Sequence, residues 1–324
     1  MRGGCWAYVH ERAGIVPERT CIKGGHVGAR SAGGPDERIR ISVVVPARDA
    51  VAVLGAQLDA LAAQEVPVPW EVVVADNGST DGTRELAASW QDRLPMRVVD
   101  ASGQAGVNHA RNRGVHAARG DLVLCCDADD VVQPGWVAAY WRTRDAWDMA
   151  GGFIDVDVLN GPEALARHAD VKYGGLNQFG WMKTFMGCNF AFHRCVYTAI
   201  GGFDEAFSGG CDDVDFAFRG QLAGYRLGYV PDAAVAYRLR ETLRATVRQH
   251  YRYGITRVHL FRKFRPVGMP RRSWKHTARA YALTMARIPD LLTRGGRGRW
   301  VVDAAFLVGL ASGSLHDHTL YLSE

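Results

Sequence analysis

No stretch of the 324 residues reaches the roughly 20 consecutive apolar positions that a transmembrane helix needs. The best candidate, Trp300 to Leu315, is shorter and is interrupted by Asp303, Gly309 and Ser312. The start of the chain is basic and Gly-rich without an apolar segment, so no signal peptide is read there. Cysteine is sparse, and the spacing of the seven (Cys5, Cys21, Cys125, Cys126, Cys188, Cys195 and Cys211) fits no zinc pattern. Cys125 and Cys126 are neighbours on a predicted strand, where they point to opposite faces. Free thiols in a reducing cytoplasm are expected, with no disulfide framework. Acids are scarce in one place. Arg240 to Arg299 holds 16 Arg or Lys against only Glu241 and Asp290, a charge of +14 in a chain whose net charge is +5. A segment this basic calls for an anionic neighbour: a membrane surface, a phosphorylated lipid or nucleic acid.

What is present reads as an α/β protein. A hydrophobic content of 48% and a charged content of 23% suit a soluble globular enzyme with a sizeable core. Residues 1–38, rich in Gly and Arg and without a period, read as a disordered leader. Residues 39–240 read as the main domain, in two halves at 39–133 and 134–240. Residues 241–324 read as a basic helical extension. Apolar strands are predicted at Ile41 to Val45, Trp70 to Ala75, Met96 to Val99 and Leu122 to Cys126. Helices are predicted between them at Ala50 to Gln64, Thr83 to Trp90 and Val107 to Ala118. Strands that are apolar throughout and alternate with helices imply a mostly parallel sheet covered on both faces. Farther on come strand-like pieces at Met149 to Val158, Met186 to Phe192 and Tyr225 to Val230. From Thr242 the pattern is helical, with Arg240, Arg244, Arg248 and Arg252 in an i, i+4 ladder on one face.

In such sheets ligands bind at the carboxyl ends of the strands. Three of these ends carry acids: Asp49 after the first strand, Asp76 after the second, and the run Asp127-Ala128-Asp129-Asp130 after the fourth. Asp127 and Asp129 are i and i+2, hence on one face of an extended segment. Like charges this close repel, and burial disfavours each of them, so something must compensate.

Several segments resemble the glycosyltransferases of family 2 with the GT-A fold. They are Val43-Val44-Val45-Pro46; Ala75-Asp76-Asn77-Gly78-Ser79-Thr80-Asp81-Gly82-Thr83; Gly106-Val107-Asn108-His109-Ala110-Arg111-Asn112-Arg113-Gly114; and Asp127-Ala128-Asp129-Asp130. Farther on, Gly187-Cys188-Asn189-Phe190-Ala191, Gly201-Gly202-Phe203-Asp204-Glu205 and Asp212-Asp213-Val214-Asp215-Phe216 follow in the family's order. The resemblance covers roughly residues 40–240. It implies a Rossmann-like nucleotide-diphospho-sugar transferase fold, an inverting reaction, and a catalytic domain over 39–240 whose nucleotide-binding half is 39–133 and whose acceptor half is 134–240.

By that resemblance Pro46, Ala47, Asp49, Asp76, Arg111 and Asp127 would bind a UDP- or GDP-type sugar donor. Asp127 and Asp129 would hold Mg²⁺ or Mn²⁺, a hard cation that prefers carboxylates and phosphates. Asp213 would be the base that takes the proton of an acceptor hydroxyl. Asn189, Trp181 and Asp212 would face the acceptor. Each has a plainer reading. Asp76 suits an Asx-turn, Asp130 suits a helix cap, Arg111 suits a solvent-facing cation, and Asp212 with Asp213 suits the acidic first turn of a helix. The aromatics of Lys172 to Phe185, Trp181 among them, fit a closing loop or plain packing equally well.

The chain departs from the family at Val235-Ala236-Tyr237-Arg238, where some relatives carry a metal-binding His; His250 and His259 are the substitutes on offer. The Gln-x-x-Arg-Trp signature of processive synthases is missing, which argues for transfer of a single sugar. Lys263, Arg265, Arg271, Arg272 and Lys275, with Phe261, Phe264 and Trp274 among them, suit a peripheral contact with an anionic membrane at its cytoplasmic face. The competing expectation is a non-catalytic sugar-nucleotide or nucleic-acid binding protein on the same scaffold. Nucleic acid is the less expected partner.

Overall fold

The computed structural model describes residues 38–168, 174–271 and 273–321. Residues 1–37 of the expected leader, Lys172, Tyr173 and Arg272 lie outside the described residues. Strands β1 (Ile41–Ala47), β2 (Trp70–Asp76), β3 (Met96–Asp100) and β4 (Leu122–Cys126) form where the apolar runs stand. They alternate with α1 (Leu54–Ala62), α2 (Thr83–Ala88) and α3 (Val107–Ala117). β1 pairs in parallel with β2 and β4, and β2 with β3. The unbroken valines of β1 have a simple cause. Val43 and Val45 pack with Leu54 and Leu58 of α1, while Val44 faces the other layer with Val115 of α3. Each fully buried valine contributes about 1.5–3 kcal/mol of transfer free energy.

The second half adds β5 (Val131–Val132), α4 (Trp136–Thr143), β6 (Met149–Asp155) and α5 (Pro162–Arg167). Next come a small hairpin of β7 (Asn177–Gln178) and β8 (Lys183–Thr184), then β9 (Asn189–His193) and α6 (Arg194–Ile200). Helix α7 (Asp212–Leu222) and β10 (Leu227–Ala236) complete it. The main sheet has eight strands in the order β3-β2-β1-β4-β9-β6-β10-β5. β9 runs antiparallel to both its neighbours, so the sheet is mixed and mostly parallel.

Asn189, expected at the acceptor, instead stitches this sheet. Its Nδ2 donates to Phe153 O (2.9 Å) and Ala233 O (2.8 Å), and its Oδ1 accepts from Trp136 Nε1 and Tyr140 Oη (both 2.8 Å). Every polar valence is spent and the residue is fully buried, leaving nothing to offer an acceptor. A glycine at 152 is what admits it. A Cβ there would stand 2.1 Å from Ala233 O and 2.4 Å from Asn189 Nδ2.

The basic extension forms α8 (Leu243–Phe264), α9 (Trp274–Ala286) and α10 (Arg294–His316). α8 and α10 meet backbone to backbone. A Cβ on Gly309 would lie 2.1 Å from Tyr251 O, and one on Gly254 2.4 Å from Phe306 O. The extension shares its core with the catalytic part: Val258, Phe261 and Phe264 pack with Phe207, Val214 and Phe218. Lys263 bridges Asp204 (2.7 Å) and Asp215 (2.5 Å). This corrects the expected interfacial segment. Phe261, Phe264 and Lys263 are committed to packing and pairing against α7, and Trp274, 65% exposed, is the aromatic left outside.

Cys125, Cys126, Cys188 and Cys211 are free thiols, whereas Cys195 is disulfide-bonded, contrary to expectation. Cys195 is half-buried on α6 and reachable, while burial seals Cys125 and Cys126 in the sheet.

Candidate active site

The carboxyl edge of the sheet carries the acids. At β1 and β2 they are organised by turns. Pro46 and Ala47 end β1, and Ala47 O accepts from Asn77 N (2.8 Å). Asp49, in a left-handed conformation (φ 47°), accepts from Thr80 N (2.9 Å). Asp76 is buried at the end of β2, accepts from Ser79 N (3.2 Å), three residues on rather than the two of an Asx-turn, and stands 3.7 Å from Arg84. Pro46, Ala47, Asp49 and Asp76 thus gather at one end of the edge.

Beyond the end of β4, Asp127, Asp129 and Asp130 each bring one carboxylate oxygen to within 4.8 Å of the others. Among the described residues this is the cluster able to hold a cation. Asp130, read from sequence as a cap, is fully buried. Its Oδ1 accepts from Arg238 N (2.8 Å), while its Oδ2 is buried with no partner. Burial, with Asp127 and Asp129 beside it, pushes its carboxyl well above the ordinary carboxylate range. Burial likewise lifts Asp127 to about 6 against the pull of Arg111.

Arg111 is the hub rather than a solvent-facing cation. It lies buried on α3 against the paired rings of Phe190 and Phe203. Its Nη2 donates to Asp127 Oδ1 (3.1 Å) and Gly187 O (2.8 Å), and its Nη1 donates to Asp212 Oδ2. Asp212 is therefore a buried counter-ion of Arg111 rather than an acceptor contact. Asp213, one residue on, accepts from Gly187 N (2.8 Å). Burial and the charge of Asp212 push its carboxyl up to about 7, even in the first turn of α7.

Arg111, Asp127, Gly187 and Asp213 face one pocket of about 820 Å³. Trp181 stays out of its wall, packed edge-on against Phe218 (5.2 Å) and tilted on Phe264 (6.0 Å). Neither expected histidine joins the aspartates. His250 Nδ1 bonds Thr246 O (2.9 Å), and His259 pairs with Asp317 (3.5 Å). Arg240 stands there instead, its Nη1 3.1 Å from Asp129 Oδ2, and Arg238 Nε donates to Asp129 O (2.9 Å). Sequence reading missed both arginines as site residues. The signal was the i, i+4 ladder beginning at Arg240, before the helix itself.

The chain matches the family described as glycosyltransferase like family 2 over residues 38–256. It is 28% identical over 200 residues to glycosyltransferase AglE of Haloferax volcanii (59% of this chain, 64% of that one). It is 27% identical over 237 residues to succinoglycan biosynthesis protein ExoA of Rhizobium meliloti (69% and 70%). It is also 32% identical over 107 residues to the uncharacterized glycosyltransferase YfnE of Bacillus subtilis (33% and 27%). The match thus spans less than two thirds of YfnE and AglE. Among solved structures, a mannosyltransferase of Pyrobaculum calidifontis, in complex with GDP-Man and Mn²⁺, superposes with a TM-score of 0.61 at 20% identity. It covers 97% of this chain and 95% of that one. With a family match over more than half its length and a mixed GT-A sheet, the chain belongs to the glycosyltransferase-like family 2.

Proposed function

We propose that the protein is a metal-dependent, inverting transferase that moves a single sugar from a nucleoside diphosphate sugar to an acceptor hydroxyl. One observation carries this reading: Asp127 of the carboxylate cluster and Asp213 face the same pocket, Asp127 held by the buried guanidinium of Arg111 and Asp213 by the N–H of Gly187, whose carbonyl Arg111 also holds. Asp127, Asp129 and Asp130 fit a divalent cation, since the set is all oxygen and Asp130 Oδ2 is an orphan in need of a positive partner. Mg²⁺ or Mn²⁺ bound there would neutralise negative charge on a departing diphosphate. Asp213 takes the acceptor's proton. A carboxyl held near 7 is basic enough for that step and still about half ionised at neutral pH. Arg111 keeps Asp127 and Asp212 in place, and Gly187 N fixes the Asp213 carboxylate.

The mannosyltransferase in complex with GDP-Man, and TarS of S. aureus in complex with UDP-GlcNAc (TM-score 0.51 at 17% identity, covering 87% of this chain and 93% of that one), support a nucleotide-sugar donor of either type. Pro46, Ala47, Asp49 and Asp76 are the residues proposed to meet its nucleoside. Incubating the protein with single nucleoside diphosphate sugars and Mn²⁺ tests the reading, because slow release of nucleoside diphosphate is expected without any acceptor. No release from any donor, with metal or without, would sink it. No helix of the described residues is long and apolar enough to cross a membrane. Peripheral contact with an anionic surface at the cytoplasmic face is proposed instead for α9. There Trp274, Leu283 and Met285 are exposed beside Lys275 and Arg279. Equal sedimentation of wild type and Trp274→Ala with phosphatidylglycerol vesicles would rule out that contact.

A further inference from the structure

The arginine ladder of the extension faces inward. Arg240, Arg244, Arg248 and Arg252 all line the pocket that holds Asp127 and Asp213. Four-residue spacing on a helix raises each side chain about 6 Å above the last, so Arg244 to Arg252 spans about 12 Å of wall. Only the first of the four has a carboxylate, Asp129. Arg244, Arg248 and Arg252 are exposed and pair with no carboxylate among the described residues. Helix α8 itself contains no acid. Some surface arginines elsewhere are matched, as Arg93 with Asp59 and Arg287 with Asp290 and Asp303, and others, such as Arg113 and Arg265, are exposed and in no ion pair among the described residues; the three of the ladder stand together along one pocket wall. Three unmatched guanidinium groups along one pocket wall form an unmet demand for anions.

The ladder is also tied to the proposed base. The loop Ser208–Cys211, which leads into Asp213, lies directly on α8. A Cβ on Gly209 would stand 3.2 Å from Arg252 Cβ, and one on Gly210 2.5 Å from Tyr253 Cδ1. A group held by Arg252 is therefore held beside the loop that presents Asp213. The donor's diphosphate is expected at the other end, by Asp127 and Asp129, where Arg240 already stands.

We propose that Arg244, Arg248 and Arg252 form the acceptor subsite, and that the acceptor carries phosphate groups next to the hydroxyl it offers to Asp213. Guanidinium forks match phosphate oxygens two at a time, which a neutral sugar cannot use. This inference rests on the transferase reading above. The phosphate belongs to a soluble phosphorylated glycan or ester, or to a phospholipid-type carrier; the chemistry seen by the arginines is the same.

The test uses the full chain and a triple variant, Arg244→Gln with Arg248→Gln and Arg252→Gln, checked for an unchanged melting temperature. With the donor site saturated by nucleoside diphosphate and Mn²⁺, titration with inorganic tripolyphosphate should still show binding by the wild type. One charge-assisted fork contributes about tenfold in affinity, so the variant should bind at least about 100-fold more weakly. Glycerophosphoglycerol and phosphatidylglycerol vesicles form two further arms. Ladder-dependent binding in the first names a soluble source and in the second a lipid one. Complete displacement of tripolyphosphate by nucleoside diphosphate would overturn the proposal and give the ladder to the donor. Equal affinity of variant and wild type would overturn it as well. Failure of the transferase reading looks different: no donor is hydrolysed, while ladder-dependent phosphate binding persists.

Discussion

Two sets of charges meet at the pocket, and they are built in opposite ways. The acids at the carboxyl ends of β4 and at the start of α7 are buried or half-buried, and each has a partner supplied by the fold. Arg111 serves Asp127 and Asp212, Arg238 and Arg240 serve Asp130 and Asp129, and Gly187 N serves Asp213. The arginines of α8 beyond Arg240 are exposed and unmatched. Internal charge this dense holds only when the fold supplies counter-charge, so the acidic wall is rigid and sets the geometry of reaction. Exposed arginines cost little to leave in water, so that wall waits for a ligand.

Breaking the acidic wall should have the largest effect. Asp213→Asn is expected to lower the transfer rate by about 10²–10⁴-fold while donor affinity stays unchanged, the range for losing a general base. If the variant transfers sugar at the wild-type rate, Asp213 is not the base. Wild-type kcat/KM should fall as pH drops below about 7, where Asp213 takes up its proton. Stability has the opposite sign. A carboxyl raised above its unfolded value weakens the fold increasingly from about pH 4 to above 7, so Asp213→Asn should melt a few degrees higher at pH 8.

Removing the hub comes next. Arg111→Met leaves Asp127 and Asp212 buried without their cation, and unfolding titrations should show a loss of about 3–5 kcal/mol. A loss under about 1 kcal/mol would place Arg111 at the periphery of the network. Asp129→Ala should abolish the Mn²⁺-dependent part of the thermal shift produced by donor, with the metal-free melting temperature little changed. A full Mn²⁺-dependent shift in that variant would take Asp129 out of the cation site. The smallest expected effect sharpens the contrast between site and scaffold. Asn189→Ala should cost about 1–3 kcal/mol of stability, from four lost hydrogen bonds, and leave the acceptor KM unchanged. A raised acceptor KM at equal stability would return Asn189 to the acceptor side.

The first four strands, their helices and the positions of Asp49, Asp76 and Asp127 were legible in the sequence. Apolar runs and turn residues are local signals, and a parallel sheet presents its strand ends on one edge by construction. Asp213 was legible through a motif of neighbouring residues. Asn189, Trp181, Asp212 and Arg111 were placed near the site, but what each touches was hidden. Their partners lie far along the chain, as with Arg111 and Asp212, 101 residues apart.

The sequence by itself determined the alternation of strands and helices, the acids at the sheet edge and the four-spaced arginines of the extension. Only the tertiary structure decided which way those arginines face. A helix shows its periodicity in its own residues, but its direction depends on the surface its apolar face meets. Here Val258, Phe261 and Phe264 dock on Phe207, Val214 and Phe218 of the catalytic part, and Gly254 meets Gly309 at a close crossing. Packing those rings turns the opposite, arginine-bearing face into the pocket, so that part of a tail read as basic surface lines the site.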